Sequence, residues 1–284
     1  MPVKASRQAD PPKRLGLVAG MGKLPQIVAA EARKKGYRVT GFALQPPSED
    51  SLKKHVEDFH KVNIGHFGKL ISLMKKMSIT EAVMAGKVPK SLLYRNKMKL
   101  IPDMRTVKVL FSLKNQADDT IMLAIVKELE KDGIRLLKIT QFTKDSLVPE
   151  GVLTRRKPSN EESDDIEFGW RLAKKMGQLD IGQTVIVKDR SVMAIEAIEG
   201  TDEAIKRGGG LAEAGAVVVK VSKPKQDLRF DVPVIGIETL RSMQRSNAAV
   251  LAVEASKTII IDIDKFRNEA DKAGISVIGI GKNA

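Results

Sequence analysis

The chain contains no cysteine. That excludes disulfides, a thiol nucleophile and cysteine-bound zinc, and it fits a cytoplasmic protein. Aromatic residues are scarce, with one Trp, two Tyr and eight Phe among 284 residues. Proteins that bind single-stranded nucleic acid stack bases on aromatic platforms. No rings are interleaved with the basic residues here, so nucleic acid is a poor candidate partner. No run reaches the length of about eighteen apolar residues that a membrane-spanning helix needs. Residues 1–14 lack the apolar core of a signal peptide, and residues 1–13 are expected to be a disordered extension. The three histidines, His55, His60 and His66, form no metal-binding pattern, and no Ser-His-Asp triad is readable.

Acids are also outnumbered in the first half. Residues 1–150 hold 28 Lys and Arg against 15 Asp and Glu, a net of +13. Residues 151–284 hold 21 against 20, a net of +1. Nearly all of the +14 therefore sits in one half, which suggests a polyanionic partner. With nucleic acid disfavoured, the anionic face of a membrane is the better reading. Residues 87–108 are the most lopsided stretch, with Lys87, Lys90, Arg95, Lys97, Lys99, Arg105 and Lys108 against Asp103 alone. A plain solvated lysine surface would look the same in composition.

The order of apolar runs reads as α/β. Leu15-Gly-Leu-Val-Ala19 is a first buried strand, Gly20-Met-Gly22 breaks it, and residues 25–35 make a helix that Pro25 starts and Gly36 stops. A strand at 37–44 completes a βαβ unit. Helices near 67–76, 105–112 and 119–132 and strands at 80–85 and 134–139 continue the alternation. This predicts a Rossmann-like N-terminal domain over 14–144. The polar, turn-rich stretch 145–165 reads as a linker. Residues 166–284 read as a second α/β domain with a mixed sheet: a helix at 166–177, a hairpin around Asp189-Arg190, then alternating strands and helices to 280.

Chemistry concentrates where strands end. Lys220-Val-Ser-Lys-Pro-Lys-Gln-Asp-Leu-Arg-Phe-Asp-Val-Pro-Val-Ile-Gly236 lies between two strand-like runs and carries Lys220, Lys223, Lys225, Arg229, Asp227 and Asp231. Lysines suit phosphate as point charges, and an acid beside them suits a divalent cation or an attacking water. A second stretch, Ala194-Ile-Glu-Ala-Ile-Glu-Gly-Thr-Asp202, offers Glu196, Glu199 and Asp202, with Thr201 or Asp202 able to cap a helix. In the first half, Gly20-Met-Gly22-Lys-Leu-Pro25 lacks the third glycine of a dinucleotide loop, and no acid closes the second strand, which disfavours an NAD enzyme. The loop could still hold phosphate through backbone N–H groups. Ala85-Gly-Lys-Val-Pro89 would place Lys87 at the same sheet edge. Asp118 and Asp119 precede a helix as caps or ligands.

These segments, in order from about residue 14 to the C-terminus and together with Gly65-His-Phe-Gly68 and Leu179-Asp-Ile-Gly-Gln183, resemble the two-domain UDP-2,3-diacylglucosamine pyrophosphatases of lipid A biosynthesis. The resemblance implies hydrolysis of UDP-2,3-diacylglucosamine to UMP and 2,3-diacylglucosamine 1-phosphate by attack on the α-phosphorus, with Mg2+ or Mn2+ required. It also implies work at the inner face of the inner membrane, and a homodimer is an accompanying expectation. The family's essential acid falls on Asp231. The expected set is then Asp231, Lys220 and Lys223 at the chemistry. Gly20, Gly22, Lys87, Asp118, Asp119, Gln183, Gly200, Thr201, Lys225 and Arg229 are expected around the substrate. Asp231, Glu196, Glu199 and Asp202 are the expected metal ligands. The competing reading is a non-catalytic nucleotide-sugar or RNA-binding protein that uses the basic half.

Overall fold

The computed structural model describes residues 12–45, 50–88, 102–112, 118–224 and 226–281. The chain divides into two compact units, Met1–Phe142 and Thr143–Ala284.

The first unit is built on a parallel sheet. Its strands are β1 (Arg14–Ala19), β2 (Arg38–Gln45), β3 (Asp58–Asn63), β4 (Glu81–Ala85) and β5 (Arg135–Leu136), in the order β3-β2-β1-β4-β5. All neighbours run parallel. Five of the six β1 residues are buried, as expected of a strand covered on both faces. Helices α1 (Leu24–Lys34), α2 (Phe67–Lys76), α3 (Met104–Phe111) and α4 (Asp118–Lys131) supply the cover. Leu15, Leu17, Phe42, Ile71, Met74 and Leu129 fill the core. The strand order changes direction at β1, which leaves the crevice beyond the carboxyl ends of β1 and β4 as the switch point of the sheet. β3 is an edge strand that the apolar pattern does not announce. β5 is shorter than the expected 134–139, because the chain turns into a 3-10 helix at Ile139–Gln141.

The second unit holds a six-stranded mixed sheet. Its members are β6 (Gly151–Val152), β7 (Thr184–Lys188), β8 (Ser191–Ile195), β9 (Val217–Lys220), β11 (Val250–Glu254) and β13 (Ser276–Ile280), in the order β6-β13-β11-β9-β7-β8. β9, β11 and β13 are parallel, while β6, β7 and β8 join antiparallel. Two short strands, β10 (Val234–Ile235) and β12 (Ile259–Ile260), pair separately. Successive residues of β9 serve opposite faces, as a pleated strand dictates. Val217 and Val219 pack with Trp170 and Ala173 of α5 (Asn160–Gln178). Val218 packs with Ile205 of α6 (Thr201–Ala212), Leu240 and Met243 of α7 (Ile237–Arg245) and Phe266 of α8 (Ile263–Lys272). The sheet is thus the middle of three layers.

The stretch 145–165 is not a linker between folded pieces. β6 pairs with β13, the backbone N–H of Val148 bonds to the Thr258 carbonyl at 2.9 Å, and α5 starts at Asn160 rather than 166. Its polar character has a local cause. Ser159 and Glu162 form a reciprocal capping box at the start of α5, which satisfies N–H groups that a helix leaves without partners.

Candidate functional site

β9 runs Val-Val-Val-Lys, and all four residues are buried. Its last residue, Lys220, lies at the carboxyl edge of the parallel strands with only 4% of its surface exposed. An ammonium there must be compensated. Lys220 Nζ donates to Thr201 Oγ1 at 2.6 Å and to Thr184 Oγ1 at 3.4 Å, and stands 3.8 Å from Glu196 Oε2. Thr201 Oγ1 in turn donates to Glu196 Oε1 at 2.8 Å. Glu196 Oε2 is buried and accepts no hydrogen bond among the described residues. The elements explain this convergence. Thr184 opens β7 directly opposite Lys220, Glu196 follows the end of β8, and Thr201 is the first residue of α6. Gly200, at φ +88°, caps α6 without a side-chain hydrogen bond, so the cap residue itself leaves the backbone N–H groups of the first turn to other acceptors.

The loop from β9 to β10 is fixed at several points. Ser222 Oγ and the Lys223 N–H both donate to Gln226 Oε1, at 2.6 and 2.8 Å. Val221 N–H donates to the Gln183 carbonyl at 2.9 Å. Lys223 pairs with Asp180. Gly182 lies so close to residue 196 that a Cβ on it would come within 1.9 Å of the Glu196 carbonyl oxygen, so residues 179–183 are wedged beside the site and admit no side chain at that point. The side-chain carbonyl of Gln183 and the amide nitrogen of Gln226 are buried without hydrogen-bond partners among the described residues. Arg229 chelates Asp227, with Nε at 3.0 Å and a terminal nitrogen at 2.7 Å from the carboxylate, which commits a guanidinium expected to face substrate. Asp231 is half-buried, with its N–H on the Asp227 carbonyl at 3.0 Å. Lys225 lies outside the described residues.

The sequence reading missed Glu254 and Thr184. Glu254 ends β11, the strand next to β9, and its carboxylate accepts from Lys174 of α5, from Lys257 at 2.7 Å and from the Ser222 N–H at 2.8 Å. Burial opposes its charge, but the hydrogen bonds from Lys174, Lys257 and Ser222 outweigh that and hold its carboxyl below the ordinary value. The signal was present: β11 reads Val-Leu-Ala-Val-Glu, an apolar run ending in a charge, the same pattern as β9.

The four expected metal ligands do not form a preassembled set. Among the described residues no three acidic or histidine side chains come together as a metal-binding group. Glu199 turns to the Ala197 N–H at 3.2 Å and to Arg207 at 2.6 Å. Its local backbone hydrogen bond and Arg207 lower its pKa. Asp202 is exposed on α6. One carboxylate oxygen is left as a candidate donor to a hard cation. Mg2+ usually takes one or two carboxylates plus substrate phosphate oxygens, and the buried Glu196 Oε2 is a carboxylate oxygen still lacking a hydrogen bond.

In the first unit the two glycine loops meet at the switch point. Gly20 N–H bonds the Ala85 carbonyl at 2.9 Å, while Met21 and Lys87 exchange backbone hydrogen bonds at 2.9 and 3.0 Å. A Cβ on Gly20 would meet the Lys87 carbonyl oxygen at 2.7 Å. As the sequence reading expected, Gly20 and Lys87 lie at the same sheet edge; Gly22 faces open space. Within this loop the N–H groups of Gly20 and Met21 are taken by Ala85 and Lys87, so any phosphate contact through backbone amides falls to the residues from Gly22 to the start of α1. Lys87 itself is exposed. Asp118 and Asp119 occupy the first turn of α4, and their side chains lie outside the described set, as do Lys90, Arg95, Lys97 and Lys99.

Comparison with known proteins now adds to this geometry. Residues 14–146 match the family described as the LpxI N-terminal domain, and residues 149–278 match the LpxI C-terminal domain. UDP-2,3-diacylglucosamine pyrophosphatase LpxI of Caulobacter vibrioides is 30% identical over 279 residues, which cover 94% of this chain and 98% of that protein. Among solved structures, the ADP complex of purK, an N5-carboxyaminoimidazole ribonucleotide synthetase, is 14% identical over 86% of this chain, with a TM-score of 0.29. Phosphoribosylglycinamide synthetase from Anaerococcus prevotii is 11% identical over 69%, with a TM-score of 0.27. This chain spans 46% and 41% of those two structures, and scores this low carry neither fold nor function across. The two family matches together take in nearly all of the described residues, and the chain belongs to the LpxI family.

Proposed function

We propose that this enzyme hydrolyses the pyrophosphate bond of UDP-2,3-diacylglucosamine in lipid A synthesis. The observation that carries the reading is the likeness to a pyrophosphatase of that name along almost the full length of both chains. The geometry supports it. A diphosphate carries concentrated negative charge, and the second unit presents a buried ammonium, two hydroxyls and an uncapped helix start at one sheet edge. Such preorganised groups stabilise charge that grows in a phosphoryl-transfer transition state.

In this mechanism a water oxygen bonds to the α-phosphorus, and the bond from that phosphorus to the bridging oxygen breaks. The water's proton passes to Asp231. UMP departs with the new oxygen, and the bridging oxygen stays on 2,3-diacylglucosamine 1-phosphate. Lys220 balances the charge gathering on the phosphate oxygens, and Thr201 holds that ammonium in place. The Asp180 pairing and the Gln226 contacts keep Lys223 and its loop at the site. Mg2+, or Mn2+ in its place, belongs to the proposal, with Glu196 as the side chain that would hold it. When bound, the cation would neutralise diphosphate charge and polarise the phosphoryl oxygens. The basic half adds affinity for an anionic membrane surface, where a diacylated substrate resides.

The test is turnover of UDP-2,3-diacylglucosamine in 18O-labelled water, with and without Mg2+. Equal amounts of UMP and lipid 1-phosphate, with label in UMP, are expected. Label in the lipid phosphate would overturn attack at the α-phosphorus. Binding of the nucleotide sugar without any turnover would favour the non-catalytic reading.

A further inference from the structure

We propose that the outer face of α3 seats the protein on an anionic bilayer, with Met104 and Phe111 entering the lipid and Lys108 at the headgroups. The inference rests on the lipid-linked substrate of the preceding section and adds the surface that approaches it.

Residues four and seven apart share one face of a helix, so Met104, Lys108 and Phe111 project together. Met104 is 85% exposed and Phe111 88%, with Leu110 beside them at 50%. Single exposed apolar residues need no explanation, but a group of large ones marks an interaction surface. Three of the five exposed large apolar residues described in the first unit lie on this one helix, and a fourth, Leu123 at 42%, is on the neighbouring α4.

Their outward position is not fraying, because the opposite side of α3 is tied down. Asp103 caps the helix by accepting from the Thr106 N–H at 2.8 Å, and it also accepts from Lys69 N–H at 3.2 Å. Thr106 Oγ1 donates to the Gly65 carbonyl at 2.6 Å and accepts from the Phe67 N–H at 3.0 Å. Val109 is buried, and Arg105 bridges Glu128 of α4 and Asp132 just past its end. A helix held so firmly presents its apolar residues by construction. An eight-residue helix is about 12 Å long, enough to lay two anchors and a cation along a bilayer surface.

Charge selects the occupant. Lys108 stands on this face, Lys131 lies across the cleft from it, and the sequence of residues 1–150 carries a net +13. A cleft of about 580 Å³ between α3 and α4 is lined by Met104 and Val107 together with Arg105, Lys108, Lys131 and Glu128. Apolar anchors among cations are the composition of an interfacial helix on anionic lipid. A second copy of this chain would bring the same positive charge and be repelled. Nucleic acid would use the cations but has no use for an exposed Met and Leu. No helix among the described residues is long and apolar enough to cross a membrane, so docking of this kind needs a surface.

The experiment uses the full chain and vesicles of phosphatidylglycerol and phosphatidylcholine in roughly equal amounts, where each Lys or Arg near the surface contributes. The parent protein should co-sediment with them at low salt and release as salt rises. Met104→Ser with Phe111→Ser should weaken co-sedimentation at least about tenfold, since burying either side chain in lipid is worth that much. Turnover of detergent-solubilised substrate should stay within about twofold, a change of less than half a kcal/mol in barrier. Both residues are surface-exposed, and an unchanged melting temperature would confirm that the variant folds. The inference is overturned if the parent ignores these vesicles, if the double variant binds them as well as the parent does, or if the substitutions instead dissolve a dimer seen by ultracentrifugation. Absence of turnover by the parent in detergent would be a failure of the substrate reading alone, because sedimentation reads the docking surface independently of catalysis.

Discussion

Replacing Lys220 with Met separates what its ammonium does for the fold from what it does for the reaction. In the fold, it stands 3.8 Å from Glu196 Oε2, with both side chains largely buried at 5% and 12% exposure. At an effective dielectric of about 20 that attraction is about 4 kcal/mol. Part of it only repays desolvation, and Thr201 still hydrogen-bonds Glu196, so the net loss of stability should be about 2–3 kcal/mol. For the second unit that corresponds to a fall of roughly 5–10 °C in melting temperature. In the reaction, loss of one preorganised electrostatic partner should cost about 2.7–4 kcal/mol of barrier, or roughly 10²–10³ in kcat. Adding Glu196→Gln to the Lys220→Met variant removes the stranded carboxylate and should restore most of the melting temperature. Activity should stay well below that of Glu196→Gln alone. The measurements are thermal melts and UMP release for all three variants. If the double variant and Glu196→Gln alone turn over equally, Lys220 merely neutralises Glu196, and its assignment to the substrate diphosphate is wrong.

Three further outcomes test the rest of the site. Asp231→Ala should melt within about 1 kcal/mol of the parent yet lose at least roughly a hundredfold in kcat; activity within about threefold of the parent would remove Asp231 from the chemistry. Exhaustive chelation should abolish UMP release and added Mg2+ or Mn2+ should restore it, whereas full turnover in excess EDTA would show that the acids act without a cation. Glu254→Gln should cost about 2–4 kcal/mol near neutral pH, because it strips the acceptor from Lys174, Lys257 and the Ser222 N–H. The native pKa of Glu254 lies below its unfolded value, so this contribution is present above about pH 4.5 and is lost as pH falls through the native pKa. Denaturant melts of parent and Glu254→Gln should therefore converge in acid; a gap that stays constant down to pH 3 would refute the carboxylate's role.

The fold was legible wherever burial on both faces makes a strand read as an unbroken apolar run. β1, β9 and β11 are such strands, and the parallel and mixed sheets follow from them. The hairpin at Asp189-Arg190 was legible too, and both residues adopt positive φ, +50° and +55°, as a two-residue hairpin turn demands. β3 was not legible, because Asp58-Phe-His-Lys-Val-Asn is polar and only one of its residues is fully buried. The polar run before residue 166 looked like a linker because a capped helix start and a linker share Ser, Asn and Glu. At the site, Lys220, Glu196 and Thr201 could be nominated together because each falls where a strand ends or a helix begins. Thr184 required knowing which residue faces Lys220 across an antiparallel pair. The spent amides of Gly20 and Met21 required the non-local bridge to Lys87. Local pattern supplies strand ends, but it does not supply which ends are neighbours.

The two halves use charge in different ways, and net charge alone hides this. The second half is nearly neutral, at +1, yet it places Lys220 beside Glu196, Lys174 and Lys257 on Glu254, and Arg229 on Asp227. Buried or half-buried pairs of this kind add little net stability, since desolvation cancels much of the attraction. They do impose direction, because a buried carboxylate accepts only where its donors are. Glu254 is the clearest case. By taking the Ser222 N–H it fixes where the chain leaves β9, two residues after Lys220 and one before Lys223. The charge of the second half is therefore spent on geometry inside the protein. The first half has an excess that its own acids cannot pair, and such an excess acts outward as a field over a range of about 8 Å at physiological salt. One chain thus holds paired, inward-directed charge in one half and an unpaired positive excess in the other, and the proposed lipid-linked nucleotide substrate would make use of both.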